Sequence, residues 1–295
     1  MDGNKHICGI KKSSIFRKNN LVETQFADLG RSEDGDYIRR LAYCKIEGPH
    51  RPGLIYVPGY FARMNIAKAN ILEEFCAMHG HPFVKYDSEG VGQSKMPDSA
   101  QLSFKKWYED ACYVMEHLTD GPQMIISSSN GAWMATLLAV NYPERVHSLL
   151  LIGSAVNQCL DDDVFENIVS SLDEETAARV RDGKPIRFKA NWVGEVTASR
   201  HFLDEMKAVR LNEEQLGSIR CPVRIVHAID DTSSRWENTI QLMEAIGHDD
   251  VRIYLKKRGN HRMLDDEDLH LQIRAVEELL ENYPVPDGPA GTSRL

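Results

Sequence analysis

Five consecutive residues, Ser127-Ser128-Ser129-Asn130-Gly131, stand between an apolar run and a helical pattern. A strand that turns abruptly into a helix lifts the middle residue of such a stretch onto a strained tip. The residues two before and two after it must then be small. Ser127 and Gly131 meet that demand, so Ser129 occupies the place of a nucleophile raised above a sheet. The N–H groups of the first helical turn beside it can hold an anion. A serine-rich turn is also a common helix cap, so the chemistry needs partners. A free hydroxyl is a poor nucleophile and requires a base. The base in turn requires a third group to hold its tautomer and balance its charge.

In doubly wound hydrolases the partners follow the serine in the order acid, then histidine, on loops after later strands. Val223–Ala228 runs into Ile229-Asp230-Asp231-Thr232, and Val251–Leu255 runs into Arg258-Gly259-Asn260-His261. Asp231 is the expected acid, with Asp230 as runner-up, and His261 is the expected base. His227 lies inside a strand pattern and is expected to pack there. A tetrahedral intermediate needs two N–H donors. Asn130, directly after Ser129, would give one. Val57-Pro58-Gly59-Tyr60 would give the other through Tyr60, because Pro58 has no N–H and Gly59 admits close backbone approach. Tyr60, Phe61 and Met64 are expected to line an acyl channel, and Trp133 to pack in the core. Asp87-Ser88-Glu89-Gly90-Val91-Gly92-Gln93-Ser94 lacks the glycine series and Lys-Ser/Thr of a phosphate loop. It reads as a turn bordering the site.

These groups must be positioned by alternating strands and helices. Apolar runs at 54–57, 82–86, 124–127, 147–152, 223–228 and 251–255 read as strands. Helical periodicity marks 65–79, 103–118, 131–142 and 268–283, with Gly80 as a stop. Strands that are apolar throughout and separated by helices imply a parallel sheet covered on both faces. Residues 21–29 and 37–46 flank Glu33-Asp34-Gly35-Asp36, the pattern of an antiparallel edge hairpin. From Cys159 to Gly217 the rhythm breaks. This charged stretch shows helical pieces at 164–172, 174–181 and 200–209 and no clear strand. It is expected to be a lid over the strand ends. The expected organisation is a basic tail or transit peptide at 1–20, one α/β domain at 21–283 with the lid at about 159–217, and a disordered tail at 284–295.

Composition narrows the classes further. The chain has 295 residues, 42% hydrophobic and 27% charged, with a formal net charge of -9. Such a surface repels phosphate backbones, so nucleic acid is not an expected partner. The six cysteines are far apart and include no C-x-x-C pair, which points to a reducing compartment rather than a disulfide scaffold. Residues 121–143 carry no charge, a length that suggests a membrane span. Pro122 and the polar run Ser127–Asn130 make strand, turn and helix the better reading, so no transmembrane segment is expected. Within residues 1–22, Lys5, Lys11, Lys12, Arg17 and Lys18 face Asp2 alone and no apolar signal core is present.

Several segments together resemble a known family. They are Tyr56-Val57-Pro58-Gly59-Tyr60, Met64-Asn65, Glu73-Glu74-Phe75-Cys76, the Asp87–Ser94 turn, Asp120-Gly121-Pro122-Gln123 and His261-Arg262-Met263. They look like the mitochondrial α/β-hydrolase-domain acyl-protein thioesterases, one member of which is also called mycophenolic acid acyl-glucuronide esterase. The resemblance runs from about residue 35 to about residue 282. It implies an α/β-hydrolase fold and a Ser–Asp–His enzyme that removes S-palmitoyl groups from proteins and hydrolyses acyl glucuronides. The roles carry over to Ser129, Asp231 and His261. It implies a mitochondrial location, with the cytoplasm as the alternative. Ser127, the run Asn130-Gly131-Ala132, Ala228 and Thr232-Ser233-Ser234 depart from the family's usual residues. The expected activity is hydrolysis of acyl thioesters or esters through an acyl-enzyme, a chemistry that needs no metal or organic cofactor. The alternative is a hydrolase fold kept as a binding or scaffold module.

Overall fold

The structure is a computed structural model that describes residues 22–33, 35–97, 102–159, 162–181, 186–190 and 194–286. Expectations for the basic N-terminus and for the tail beyond residue 286 lie outside the described residues. A hairpin of β1 (Gln25–Arg31) and β2 (Ile38–Ile46) opens the fold, antiparallel as its turn residues predict. It forms one edge of an eight-stranded sheet. The other strands are β3 (Gly53–Val57), β4 (Phe83–Asp87), β5 (Gln123–Ser128), β6 (Val146–Ile152), β9 (Val223–Ala228) and β10 (Val251–Lys256). Their spatial order is β1-β2-β4-β3-β5-β6-β9-β10. From β4 to β10 every neighbouring pair is parallel.

Burial on both faces explains the unbroken apolar strands. Leu54, Met124, Ile126 and Leu150 face one layer, formed by α1 (Ala67–His79) and α9 (Asp266–Asn282). Ile55, Ile125, Leu149, Leu151 and Ile225 face the opposite layer, which includes α2 (Phe104–Tyr113) and α3 (Gly131–Asn141). Local chemistry sets the helix ends. Ser103 Oγ accepts the Lys106 N–H and starts α2. Gly80, in the left-handed region at φ 71°, ends α1 as predicted. The helix predicted to run to Leu118 changes character after Tyr113 and widens into a π-helical turn, Val114–Leu118. There Arg145 Nη2 donates to the carbonyls of Met115 and Thr119 at 2.9 and 3.0 Å.

Between β6 and β9 the chain leaves the sheet. It forms α4 (Asp162–Ser170), α5 (Glu174–Arg181), a hairpin of β7 (Ile186–Ala190) and β8 (Gly194–Ala198), then α6 (Arg200–Ala208) and α7 (Glu213–Gly217). The antiparallel hairpin corrects the expectation of a strandless insertion. Ile186-Arg187-Phe188-Lys189-Ala190 does alternate apolar and polar residues, but five residues among charges give little signal. An additional helix, α8 (Glu237–Ala245), lies between β9 and β10.

Candidate active site

Strand β5 ends at Ser128 and α3 begins at Gly131, leaving Ser129 on the turn between them. Ser129 has φ 55°, a left-handed conformation that costs a residue with a Cβ. Its neighbours enforce the turn. The Ser129 N–H donates to Ile152 O at 2.9 Å, and Ala132 N–H donates to Ser129 O at 3.0 Å. A Cβ on Gly131 would sit 2.5 Å from Pro58 O and 2.7 Å from Val57 O, so only glycine fits. Ser127 is fully buried, and its hydroxyl has no hydrogen-bond partner among the described residues.

His261 lies on the loop after β10. Its ring fits beside Gly153, where a Cβ would come within 3.1 Å of His261 O and 3.4 Å of Nδ1. Nε2 is 2.8 Å from Ser129 Oγ, and Nδ1 is 2.7 Å from Asp231 Oδ2. The partners assign the tautomer: Nδ1–H donates to the carboxylate and Nε2 accepts the serine O–H. Asp231 Oδ1 accepts the backbone N–H groups of Ser233 and Ser234 at 2.8 and 3.0 Å. Burial would raise the pKa of this carboxyl. The hydrogen bonds from His227 and His261, the charge of His261 and the Ser233 N–H outweigh burial and hold it well below the usual carboxylate range. Asp230, the runner-up, is exposed and pairs with Arg258 at 3.1 Å.

The segment 58–61 closes over the turn. Gly59 is packed so tightly that a Cβ would lie 2.6 Å from Ser128 O and 3.1 Å from Ser129 Cβ. This brings the Tyr60 backbone beside the Ser129 turn, where Asn130 caps α3. A cavity of about 450 Å³ opens here, with Phe61, Ile66, Lys68, Ser129, His261 and Leu264 among its walls. Phe61 lines this cavity. Met64 does not: it is fully buried with Ala42 and Cys44. Its N–H donates to Asp87 Oδ1 at 2.6 Å, and its side chain packs inward rather than lining the cavity. Trp133 packs in the core against Phe104, and its indole N–H donates to Val209 O at 3.2 Å. The Asp87–Ser94 turn braces the Met64 loop, since Asp87 Oδ2 also accepts the Gln93 N–H at 2.8 Å.

A sequence profile for the family described as serine aminopeptidase, S33, matches residues 49–268. A rat protein named palmitoyl-protein thioesterase ABHD10, mitochondrial, is 31% identical over 82% of this chain and 79% of its own. A solved structure of alpha/beta hydrolase domain-containing protein 10 from mouse covers 88% of this chain and 99% of its own, with TM-score 0.70 and 30% identity. The chain belongs to the ABHD10 family of α/β hydrolases. A putative hydrolase from Agrobacterium vitis superposes with TM-score 0.73 at 22% identity over 88% of this chain and 99% of its own, a likeness of fold.

Membership of the ABHD10 family accounts for the sheet order and for loops that converge after β5, β9 and β10. Two residues at the site escaped the sequence reading. His227 is packed in β9 as expected, but its Nε2 lies 3.0 Å from Ser234 O and 3.3 Å from Asp231 Oδ2. The carboxylate therefore faces two imidazoles. The spacing of His227 and Asp231, four residues across a strand end, was the available signal. Lys68 in α1 is the other. It is buried on the helix and its Nζ lies 2.6 Å from Ser128 Oγ. Hydropathy alone gives no sign of a cation at such a place.

Proposed function

We propose that this chain is a serine hydrolase that cleaves acyl thioesters or esters through an acyl-enzyme on Ser129. The observation that carries the reading is the continuous relay from Asp231 through His261 to Ser129, with links of 2.7 and 2.8 Å, on a strained turn. Ser129 Oγ attacks the acyl carbonyl while His261 Nε2 takes its proton. Asp231 holds the Nδ1–H tautomer and stabilises the imidazolium. The N–H groups of Asn130 and Tyr60 receive the oxyanion, and losing one such donor typically costs about 10²- to 10³-fold. His261 then protonates the leaving group. Water, deprotonated by the same ring, releases the acid.

Relatives named as mitochondrial palmitoyl-protein thioesterases support S-palmitoylated proteins as substrates and the mitochondrion as the site of action. The apolar cavity walls Phe61, Ile66 and Leu264 suit an acyl chain. We read the insertion at about 159–217 as a lid. Phe202 of α6 supports this, because its ring packs 5.6 Å from that of Tyr60 and 5.0 Å from that of Trp107.

A fluorophosphonate probe tests the reading. Rapid covalent labelling mapped to Ser129, and lost at least a thousandfold in rate in Ser129→Ala, is the expected result. Failure of the wild type to label between about pH 6 and 9 would make the chain a binding module built on a hydrolase fold.

A further inference from the structure

Lys68 sits in the first turn of α1 with 3% of its surface exposed, a rare place for an ammonium group. Its Nζ lies 2.6 Å from Ser128 Oγ, and both side chains line the cavity that contains Ser129 and His261. Among the described residues no carboxylate forms an ion pair with it. A buried amine touching a serine hydroxyl in a cavity beside an acyl-transfer site is the arrangement by which serine–lysine enzymes activate their nucleophile.

We propose that Ser128 and Lys68 form a second nucleophile–base pair in this cavity, able to accept the acyl group of an activated ester or thioester. The environment of the amine suits the role. Burial, assisted by the charge of Arg262, pushes the Lys68 pKa down to about 7, against the opposing pull of Asp268 and Asp231. The groups facing it are Arg262 and His261 on the loop after β10, Asp231 after β9, Asp268 of α9, Arg63 at the cavity wall and Tyr56 of β3. Burial keeps the Tyr56 phenol protonated, so it adds no charge. In its ammonium form Lys68 donates to Ser128 Oγ. Once it has lost a proton the contact reverses, and the hydroxyl donates to the amine.

The chemistry balances within the pair. Ser128 Oγ attacks the acyl carbonyl and its proton passes to Nζ. The C–O bond forms, the C–S or C–O bond to the leaving group breaks, and the ammonium returns the proton to the leaving thiolate or alkoxide. The free amine then deprotonates the water that hydrolyses the Ser128 ester, so the net reaction consumes one water and releases acid and thiol or alcohol. The pair acts beside the relay through Ser129 and does not depend on it.

The test is fluorophosphonate labelling of full-length Ser129→Ala with the adduct mapped by peptide mass spectrometry. A slow adduct on Ser128 is expected, with a rate that rises as pH increases through about 7. It should fall at least tenfold when Lys68→Met is added. It should fall as much with Lys68→Arg, which keeps the positive charge but is too basic to accept a proton. No Ser128 adduct between about pH 6 and 9, or an adduct indifferent to both Lys68 changes, would overturn the pair. Either result leaves the Ser129 reading intact if the wild type still labels there. A wild-type adduct on Ser128 and none on Ser129 would do the reverse.

Discussion

Replacing Asp231 with asparagine keeps size and shape but changes what the site presents to His261. Oδ1 already accepts the Ser233 and Ser234 N–H groups, so the amide oxygen of the variant must take that position. Its NH2 group then occupies the place of Oδ2, 2.7 Å from His261 Nδ1. The imidazole responds by accepting at Nδ1 and carrying its proton on Nε2. That proton points at Ser129 Oγ, 2.8 Å away, and the ring no longer acts as a base. The same NH2 also meets His227 Nε2, which sits 3.3 Å from Oδ2 and donates toward it. A wrong tautomer of this kind costs about 10⁴-fold in turnover. That corresponds to about 5.5 kcal/mol of transition-state stabilisation at 1.36 kcal/mol per decade. Turnover of p-nitrophenyl butyrate and of an acyl thioester by the purified variant measures it. Activity within about tenfold of wild type, in a variant that remains folded, would refute the assigned acid and the tautomer argument together.

Other perturbations probe the supports of the site. Gly131→Ala forces a methyl group against Pro58 O and Val57 O and should cost about 3 kcal/mol of stability, read as a drop in the urea midpoint. Phe202→Ala removes a ring that packs on Tyr60, Phe104 and Trp107 and should cost about 3–5 kcal/mol. Limited proteolysis should then cut within the insertion faster than in wild type, and equal cutting rates would contradict its anchoring by that ring. His227→Leu should narrow acid stability. The folded Asp231 pKa is depressed, so its contribution is present above the unfolded value of about 3.9 and is lost as pH falls through the folded value. Removing one donor raises the folded value, so the stability gap between wild type and variant should be wider at pH 6 than at pH 2 in urea titrations.

The turn at Ser129 was legible because one constraint shaped five residues at once: a strand, a bend and a helix leave room only for small side chains around it. The loops that carry Asp231 and His261 were legible because they follow apolar runs that read as strands. Where the reading failed, the determinant was a single long-range contact. Met64 looked like a cavity residue, but its loop is tied to Asp87 and its side chain packs with Ala42 and Cys44. Lys68 sits on a helix whose apolar face was clear from Ala69, Leu72 and Phe75, and spacing alone could not show that a lysine would be buried beside them. The β7–β8 hairpin has a short alternating pattern, and strand pairing is decided by the partner rather than by either strand alone. The widened turn at Val114–Leu118 is bridged by Arg145, which lies far along the chain.

Strands β6 and β9 are hydrogen-bonded neighbours from Leu149–Val223 to Ile152–Val226, although the whole insertion separates them in the chain. The hydrogen-bond ladder is therefore continuous across the gap, while the excursion adds its own packing on the core through Phe202. An evolving lineage can lengthen, shorten or exchange that excursion while its ends stay seated side by side. Change in what enters the pocket is thereby uncoupled from the strand pairing behind Ser129, Asp231 and His261, as long as the ring of Phe202 keeps its seat on the core.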